Sequence, residues 1–260
     1  MLRPRLIPCL LVRDKGLVKT VKFSDAKYVG DPINAVRIFN EKTVDELMVL
    51  DIDATRLKRE PDYRMIENLA TECRMPLSYG GGVRTTDQVQ RVIGLGVEKV
   101  AISGAAVANP DLISQSATRV GSQSVAVVVD IKKGGFLNRP EVVTHNATRR
   151  SGWAPIDFVR EAARRGAGEI VLNFVDRDGT MQGYDLDFVE TLRAETTLPM
   201  TILGGAGSLD DVRSLWGAQG IIGAAAGSLF VFKGKYRAVL INYPNRAEKA
   251  ALLNDWQHGS

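Results

Sequence analysis

The sequence contains one stretch twice, and this repeat limits the folds that the chain can adopt. Residues 75–107 read MPLSYGGGVRTTDQVQRVIGLGVEKVAISGAAV, and residues 198–230 read LPMTILGGAGSLDDVRSLWGAQGIIGAAAGSLF. One offset superposes the glycine turns of the two copies, and the same offset brings Glu46 onto Glu169 and Asp53 onto Asp176. A single offset that serves positions from 46 to 230 indicates a duplicated half-chain.

Each copy reads as a strand, a glycine turn, a helix, a second strand and a second glycine turn. Eight strand–helix units can be placed along the chain, which predicts a (β/α)8 barrel of the α/β class, in one domain over residues 1–260. A doubly wound open sheet is the alternative, but two half-barrels (about 1–120 and 121–250) would complete one ring. The predicted strands are Arg5–Val12, Glu46–Ile52, Leu77–Tyr79, Glu98–Ile102, Ser124–Asp130, Glu169–Phe174, Met200–Leu203 and Ile221–Ala225.

The composition argues against several classes of protein. A hydrophobic content of 45% is ordinary for a globular core, and the net charge of +4 is spread without a dense basic run, so nucleic acid is not an expected partner. Cys9 and Cys73 lack metal-ligand spacing, and we predict neither a metal, nor a disulfide, nor a cofactor. No secretory leader or membrane-spanning run is seen, which predicts a cytoplasmic protein with no membrane partner.

Glycine turns end four of the predicted strands, as two pairs that the repeat relates. Without side chains, such turns let backbone N–H groups approach an anion, and barrels of this type bind phosphate after their last two strands. We therefore predict two phosphate groups of a small molecule on opposite sides of the barrel. The alternative is that the glycines only permit tight turns. The predicted phosphate-binding residues are Gly81, Gly82, Ser103, Gly104, Asp176, Gly179, Gly204, Gly205, Gly227 and Ser228.

Polar residues at strand ends are the candidates for catalysis. Asp130 ends the fifth strand and is predicted to act as a general acid or base, whereas the matching residue of the first strand is Leu11. Asp51 and Gln123 are predicted as further polar residues of the barrel mouth. Long loops follow the first and fifth strands, at 13–31 and 131–153. The first is basic and carries Lys19; it is predicted to be either a lid or a solvated charged loop.

Four charged residues begin predicted strands at the opposite end of the barrel, namely Arg5, Glu46, Lys99 and Glu169. Strand alternation turns them inward, where two cations and two anions would form a neutral ring. The ring could be a stabilising plug or the guarded entrance to a narrow passage. Small residues are predicted to face inward above it: Ser78, Ala101, Ala126 and Ala224.

With these features in place, nearly the whole chain resembles the cyclase subunit of imidazole glycerol phosphate synthase. The resemblance implies a partner, a class I glutamine amidotransferase (glutaminase) under the barrel, whose ammonia crosses to the mouth. The four charged residues match the ammonia gate of that family, Lys19 matches its lid lysine, and Asp130 matches one of its two catalytic aspartates. The matching stretches are GDP (30–32), DELMVLDIDA (45–54), YGGGV (79–83), GSQSV (121–125), RRGAGEI (164–170), DRDGTMQGYD (176–185) and GGAG (204–207).

The chain departs from the family pattern at Leu11, where the family has its other catalytic aspartate, and at Ser103-Gly104, where it has Asn-Thr. Loss of an acid–base group lowers a rate by about 100- to 10,000-fold. The combination resembles a divergent branch that accompanies lipopolysaccharide genes and supplies ammonia to a sugar amidotransferase. Two alternatives stay open: a genuine cyclase subunit (a lyase) of histidine biosynthesis, with Asp130 working alone, and a non-catalytic phosphosugar-binding barrel.

Overall fold

Strands and helices alternate along the chain in the computed structural model, which describes residues 3–134 and 138–259. The strands are β1 (Arg5–Arg13), β2 (Gly16–Val21), β3 (Ser24–Gly30), β4 (Leu47–Asp51), β5 (Leu77–Gly80), β6 (Lys99–Ile102), β7 (Val125–Gly134), β8 (Arg139–Thr144), β9 (Arg149–Arg150), β10 (Glu169–Phe174), β11 (Met200–Leu203), β12 (Gly223–Ala226), β13 (Phe232–Lys233) and β14 (Ala238–Val239). The helices are α1 (Pro32–Glu41), α2 (Tyr63–Glu72), α3 (Thr86–Gly94), α4 (Gly104–Ala108), α5 (Asp111–Val120), α6 (Pro155–Arg164), α7 (Leu186–Arg193), α8 (Leu209–Gln219), α9 (Ser228–Val231) and α10 (Arg246–Gly259).

Eight of the strands pair in parallel and close into a barrel. Their order around the ring is β1, β4, β5, β6, β7, β10, β11 and β12, and β12 pairs again with β1. The predicted (β/α)8 barrel is therefore confirmed, and the open sheet is excluded because each of these strands has a parallel neighbour on both sides. The carboxyl ends of all eight meet at one end of the barrel, which we call the mouth.

The strand registers show how the two halves correspond. Leu11 of β1 lies opposite Leu50 of β4, and Asp130 of β7 lies opposite Asn173 of β10. Leu50 and Asn173 are separated by the repeat offset, so Leu11 and Asp130 occupy equivalent places in the two half-barrels. The expected pairing of Leu11 with Asp130 by symmetry is confirmed.

Side chains alternate between the barrel interior and the layer beneath the helices. Ile7 and Cys9 belong to the interior cluster, whereas Leu6 and Leu10 pack in the larger core under the helices. The prediction that Ala224 faces inward is wrong. Ala224 packs in the outer core and Ala225 in the interior, because a shift of one residue along a strand moves a side chain to the other face.

Side-chain caps mark the beginnings of several helices. The Asp31 side chain accepts the N–H of Asn34 at 2.8 Å and caps α1, and Ser208 and Asp211 form a reciprocal capping box at α8. The Tyr243 hydroxyl, ahead of α10, donates to the carbonyl of Leu6 at 3.0 Å and ties the end of the chain to β1. Among the described residues, every helix is too short or too polar to cross a bilayer.

The two long loops are continuations of barrel strands. β2 runs antiparallel to β1, with Leu11 opposite Val18, and β3 runs antiparallel to β2. In the other half β8 runs antiparallel to β7, with Ile131 opposite Val142. The segment that was predicted as a lid is thus a paired β-ribbon that extends the first strand above the mouth.

Candidate functional site

Four charged side chains meet inside the lower rim of the barrel and form the base ring (Arg5, Glu46, Lys99, Glu169). Arg5 donates to Glu46 and, at 2.6 Å, to Glu169. Lys99 Nζ donates to both carboxylates, at 2.8 Å to Glu46 Oε2 and 2.8 Å to Glu169 Oε2. The ring is closed and electrically neutral.

Hydroxyl groups complete the hydrogen bonding of the base ring. Ser78 Oγ donates to Glu46 at 2.7 Å, and Thr201 Oγ1 donates to Glu169 at 2.6 Å. Burial raises the pKa of Glu169, but the positive charges of Arg5 and Lys99 outweigh burial and hold that pKa at about 2. The Glu169 carboxylate is therefore ionised throughout the physiological pH range, as its two cationic partners require.

A cavity of about 120 Å³ opens at the mouth, above the interior cluster. Among the predicted site residues, those that line it are Leu11, Lys19, Asp51, Gly81, Gly82, Ser103, Gly104, Asp130 and Gly227. Asp130 and the first glycine pair therefore share one space, and of the second pair only Gly227 borders it.

Asp130 is a half-buried residue that lines this cavity, and two neutral donors hold its carboxylate. Ser103 Oγ donates to its Oδ2 at 3.1 Å, and Asn173 Nδ2 donates to its Oδ1 at 2.8 Å. Burial raises the pKa of Asp130 to about 6, although both hydrogen bonds act in the opposite direction. A carboxyl group with this pKa can both take and give a proton near neutral pH, which suits general acid–base chemistry.

Lys19 lies inside the mouth, although it belongs to the basic ribbon. Its ammonium group is buried and donates to the carbonyl of Cys9 at 2.9 Å, and burial lowers its pKa. A Cβ atom built on Gly227 would lie 2.1 Å from Lys19 Nζ, so the ammonium rests directly over the turn that ends β12. For this lysine the alternative of a solvated charged loop is wrong.

The aspartates at the ends of β4 and β10 differ in what they contact. Asp51 Oδ1 accepts the N–H groups of Asp53 and Ala54, both at 3.0 Å, and burial raises its pKa. Asp176 accepts the N–H of Lys133 at 2.7 Å and does not line the mouth cavity. Asp178, two residues further along the chain, does line it.

Asp178 links the mouth to the ribbon. Its Oδ2 atom accepts the Thr20 hydroxyl at 2.6 Å and the Phe23 N–H at 3.1 Å. The nearby Gly179 faces the Thr20 carbonyl, where an added Cβ would lie at 2.2 Å. This end of β10 therefore holds the ribbon in place across the mouth.

The second predicted glycine turn is covered by the chain itself. Gly205 accepts the N–H of Gly183 at 2.9 Å, and a Cβ on Gly204 would lie 2.7 Å from the Phe174 carbonyl. The Ser228 side chain is buried, and Gly204, Gly205 and Ser228 do not line the mouth cavity. Their assignment to a phosphate group stays a prediction, and in this structure the first glycine pair is the more open of the two.

Gln123 was predicted at the mouth, and this placement is wrong. It lies in the short 3-10 helix Ser122–Ser124, which precedes β7. Because parallel strands all begin at the lower rim, Gln123 is at the end of the barrel opposite Asp130. The predicted strand Ser124–Asp130 also begins after Gln123, so the direction of that strand already pointed to the lower end.

Sequence reasoning missed several residues of the mouth cavity, chief among them His145, with Asn146, Thr55 and Asn173. The turn between β8 and β9 brings His145 and Asn146 to the cavity. The long loop 131–153 follows a barrel strand, and the histidine within it was the signal in the sequence that could have identified a site residue. Whether the His145 side chain faces the cavity depends on the register between β7 and β8, which the sequence pattern did not give.

The fold and the site define a class: a barrel of two duplicated halves, with a neutral ring of charged residues at its base and, in the mouth above, the carboxyl group of Asp130 with its raised pKa. A family model described as "Histidine biosynthesis protein" matches residues 5–237. The chain belongs to this family, and within it to the relatives of the HisF subunits of imidazole glycerol phosphate synthase.

Three relatives show how close this similarity is. A protein of Leptospira interrogans with the provisional name imidazole glycerol phosphate synthase subunit HisF is 57% identical over 253 residues, 97% of this chain and 100% of its own length. A provisionally named hisF3 subunit of Vibrio vulnificus is 56% identical, with 97% of both chains covered. The HisF subunit of Hyphomonas neptunium is 40% identical, over 89% of this chain and 91% of its own.

Proposed function

We propose that this chain is the ammonia-accepting subunit of a glutamine-dependent synthase. A class I glutaminase docks at the lower rim, and the ammonia that it releases passes the base ring and crosses the barrel to the mouth cavity. The relatives are named as subunits of a synthase, which supports a partner protein. The observation that carries the proposal is the closed base ring, directly below an interior that contains small side chains.

The charges of the base ring favour the passage of neutral ammonia. Because the carboxylates of the ring are already paired with Arg5 and Lys99, the ring offers ammonium no net attraction, and an ammonium ion in the apolar interior would lose its hydration at a large cost. Above the ring, the interior cluster includes Ala101, Ala126 and Ala225, whose short side chains leave the most room near the axis. We propose that Lys99, which bridges the two carboxylates, is the residue that moves when the ring opens.

The mouth carries only half of the acid–base pair that a symmetric barrel would have. Leu11 stands where the second half has Asp130, so a proton shuttle between two carboxyl groups is missing. We therefore propose that the ammonia serves sugar amidation in lipopolysaccharide or O-antigen biosynthesis, with a sugar amidotransferase as a further partner. Support comes from Leu11 and from the resemblance to the divergent branch.

One observation favours a second candidate function, the cyclase of histidine biosynthesis. Asp130 retains two hydrogen-bond donors and a pKa of about 6, so it is equipped for proton transfer on its own. This candidate requires turnover of the phosphoribulosyl formimino nucleotide with ammonium salts as the nitrogen source. Rates within about tenfold of a normal cyclase, a difference of only about 1.4 kcal/mol, would favour it over sugar amidation.

The test of the proposal uses a class I glutaminase from the same organism. Adding the chain should raise the rate of glutamine hydrolysis, and the absence of any stimulation would exclude the proposed partnership. A second step fills the interior with Ala126→Leu, while Gly217→Ala, in the outer helix α8, serves as the matched control. Glutamine-dependent nitrogen transfer to the sugar should fall in Ala126→Leu alone, and transfer from ammonium chloride should persist in both variants.

A further inference from the structure

The two glycine pairs at the mouth have different side-chain donors beside them. The repeat aligns Gly104 with Gly227 and the following Ala105 with Ser228. The second pair thus has a hydroxyl group where the first has only a methyl group. Ser103, beside Gly104, also carries a hydroxyl group, but this hydroxyl donates to Asp130 at 3.1 Å, so a further side-chain donor to an anion at the first pair would come from another part of the chain.

Two threonines border Gly104 in the space where that donor is needed. A Cβ atom built on Gly104 would lie 3.5 Å from the methyl group of Thr55 and 3.7 Å from Thr144 Cβ. The Thr55 hydroxyl also accepts the N–H of Gly82 at 3.4 Å. The Thr144 hydroxyl lies 3.0 Å from Nδ1 of His145, which lines the same cavity as Gly81, Gly82 and Gly104.

The imidazole of His145 is presented by a strained turn. His145, Asn146 and Ala147 have φ angles of 55°, 57° and 59°, in the left-handed region that side chains other than glycine seldom adopt. Asn146 Nδ2 donates to Asp53 at 3.3 Å, and Asp53 is held by Arg13 at 2.8 Å and by Arg56 at 3.3 Å. Such strain persists only where surrounding contacts impose it, and it is concentrated at binding and catalytic sites.

We propose that His145 is an anion-binding residue, whose imidazole joins the glycine turn around Gly81 and Gly104 to hold a phosphate monoester in the first half of the mouth. This proposal rests on the proposed function, to which it adds the residue that selects the acceptor's phosphate. His145 lines the same cavity as Gly104 and Ala105, and it can supply the side-chain donor that Ala105 lacks. Thr144 fixes the ring at Nδ1 and leaves Nε2 as the atom for the ligand.

The charges around His145 suit an anion. Lys58 and Arg149 lie near the ring, whereas the negative charge of Asp53 is matched by Arg13 and Arg56. Burial and these two cations lower the pKa of His145. An anion in contact with the imidazole would favour its charged form and raise that pKa again, so anion binding and protonation should strengthen each other.

The experiment follows the two histidine side chains of the full chain by NMR while inorganic phosphate or inorganic sulfate is added. Sulfate keeps its charge across the pH range, so any pH dependence of its binding reports the protein. We expect both anions to shift the signal that His145→Gln removes, and to raise the pKa of that imidazole. His145→Gln should weaken sulfate binding about tenfold at pH 6 and reduce its increase toward low pH. The increase that remains belongs to Asp130, which lines the same cavity and loses its negative charge near pH 6.

His258→Gln is the matched control, because His258 is the second histidine of the sequence. It should leave the anion affinity and its pH dependence unchanged. Equal affinities of the wild type and His145→Gln, or anions that do not shift the His145 signal, would overturn this inference. Either result leaves the proposed function standing, since stimulation of the glutaminase is measured separately and without an anion.

Discussion

The substitution Glu169→Gln removes one charge of the base ring and nearly preserves the shape of the side chain. Glu169 accepts hydrogen bonds from Arg5, Lys99 and Thr201 at 2.6, 2.8 and 2.6 Å. After Glu169→Gln the two cations face only one carboxylate, Glu46, and the buried ring carries a net positive charge. Removing one partner of a buried ion pair is far more costly than replacing the whole pair.

The magnitude follows from the pKa of Glu169, which is about 2 instead of the ordinary 4.5. A depression of this size is a contribution of about 3 kcal/mol to the free energy of unfolding. Because the pKa is lower in the folded state, the contribution is complete above pH 4.5 and is lost as the pH falls toward 2. Between pH 4.5 and 2, the free energy of unfolding should fall by about 3 kcal/mol more in the wild type than in Glu169→Gln.

Urea unfolding at a series of pH values measures this difference. The matched control is Glu161→Gln, which removes a carboxylate from surface ion pairs with Arg164 and Arg165 on α6 and should change stability by less than about 1 kcal/mol. Parallel stability curves for wild type and Glu169→Gln between pH 4.5 and 3 would refute the assignment of Glu169 as an ionised, paired member of the ring.

Three further changes test the mouth and the turns. Leu11→Asp should raise ammonia-dependent cyclase turnover by about 100- to 10,000-fold, and Leu11→Asn should not; no gain would show that more than one acid is missing. Asp130→Asn should stabilise the fold by up to about 3 kcal/mol at pH 8, because the pKa of Asp130 is about 6 in the folded protein instead of the ordinary 3.8. This gain in the free energy of unfolding should vanish near pH 4, and urea unfolding at both pH values measures it. Gly205→Ala should lower the melting temperature, because the φ angle of Gly205 is 117° and an added Cβ would lie 2.1 Å from the Gly183 carbonyl. Gly217→Ala is the control: it has open space around it in α8 and should raise the melting temperature slightly. Equal shifts in the two variants would contradict this reasoning.

The sequence by itself determined the barrel, because a duplicated strand–helix pattern buries its apolar faces best when two halves close into one ring. It also determined the equivalence of Leu11 and Asp130, and the inward direction of Arg5, Glu46, Lys99 and Glu169, since alternation along a strand leaves only two faces to choose between.

Only the tertiary structure decided which side chains enter the mouth at the ends of the strands. There the choice between Asp176 and Asp178, or between Ala224 and Ala225, depends on a register shift of one or two residues that no local pattern records. The placement of His145 in the mouth depends on the pairing of β8 with β7 and on the hydrogen bond from the neighbouring Asn146 to Asp53, which follows β4. Such positions are set by long-range packing, and they carry the residues that distinguish this barrel from a symmetric one.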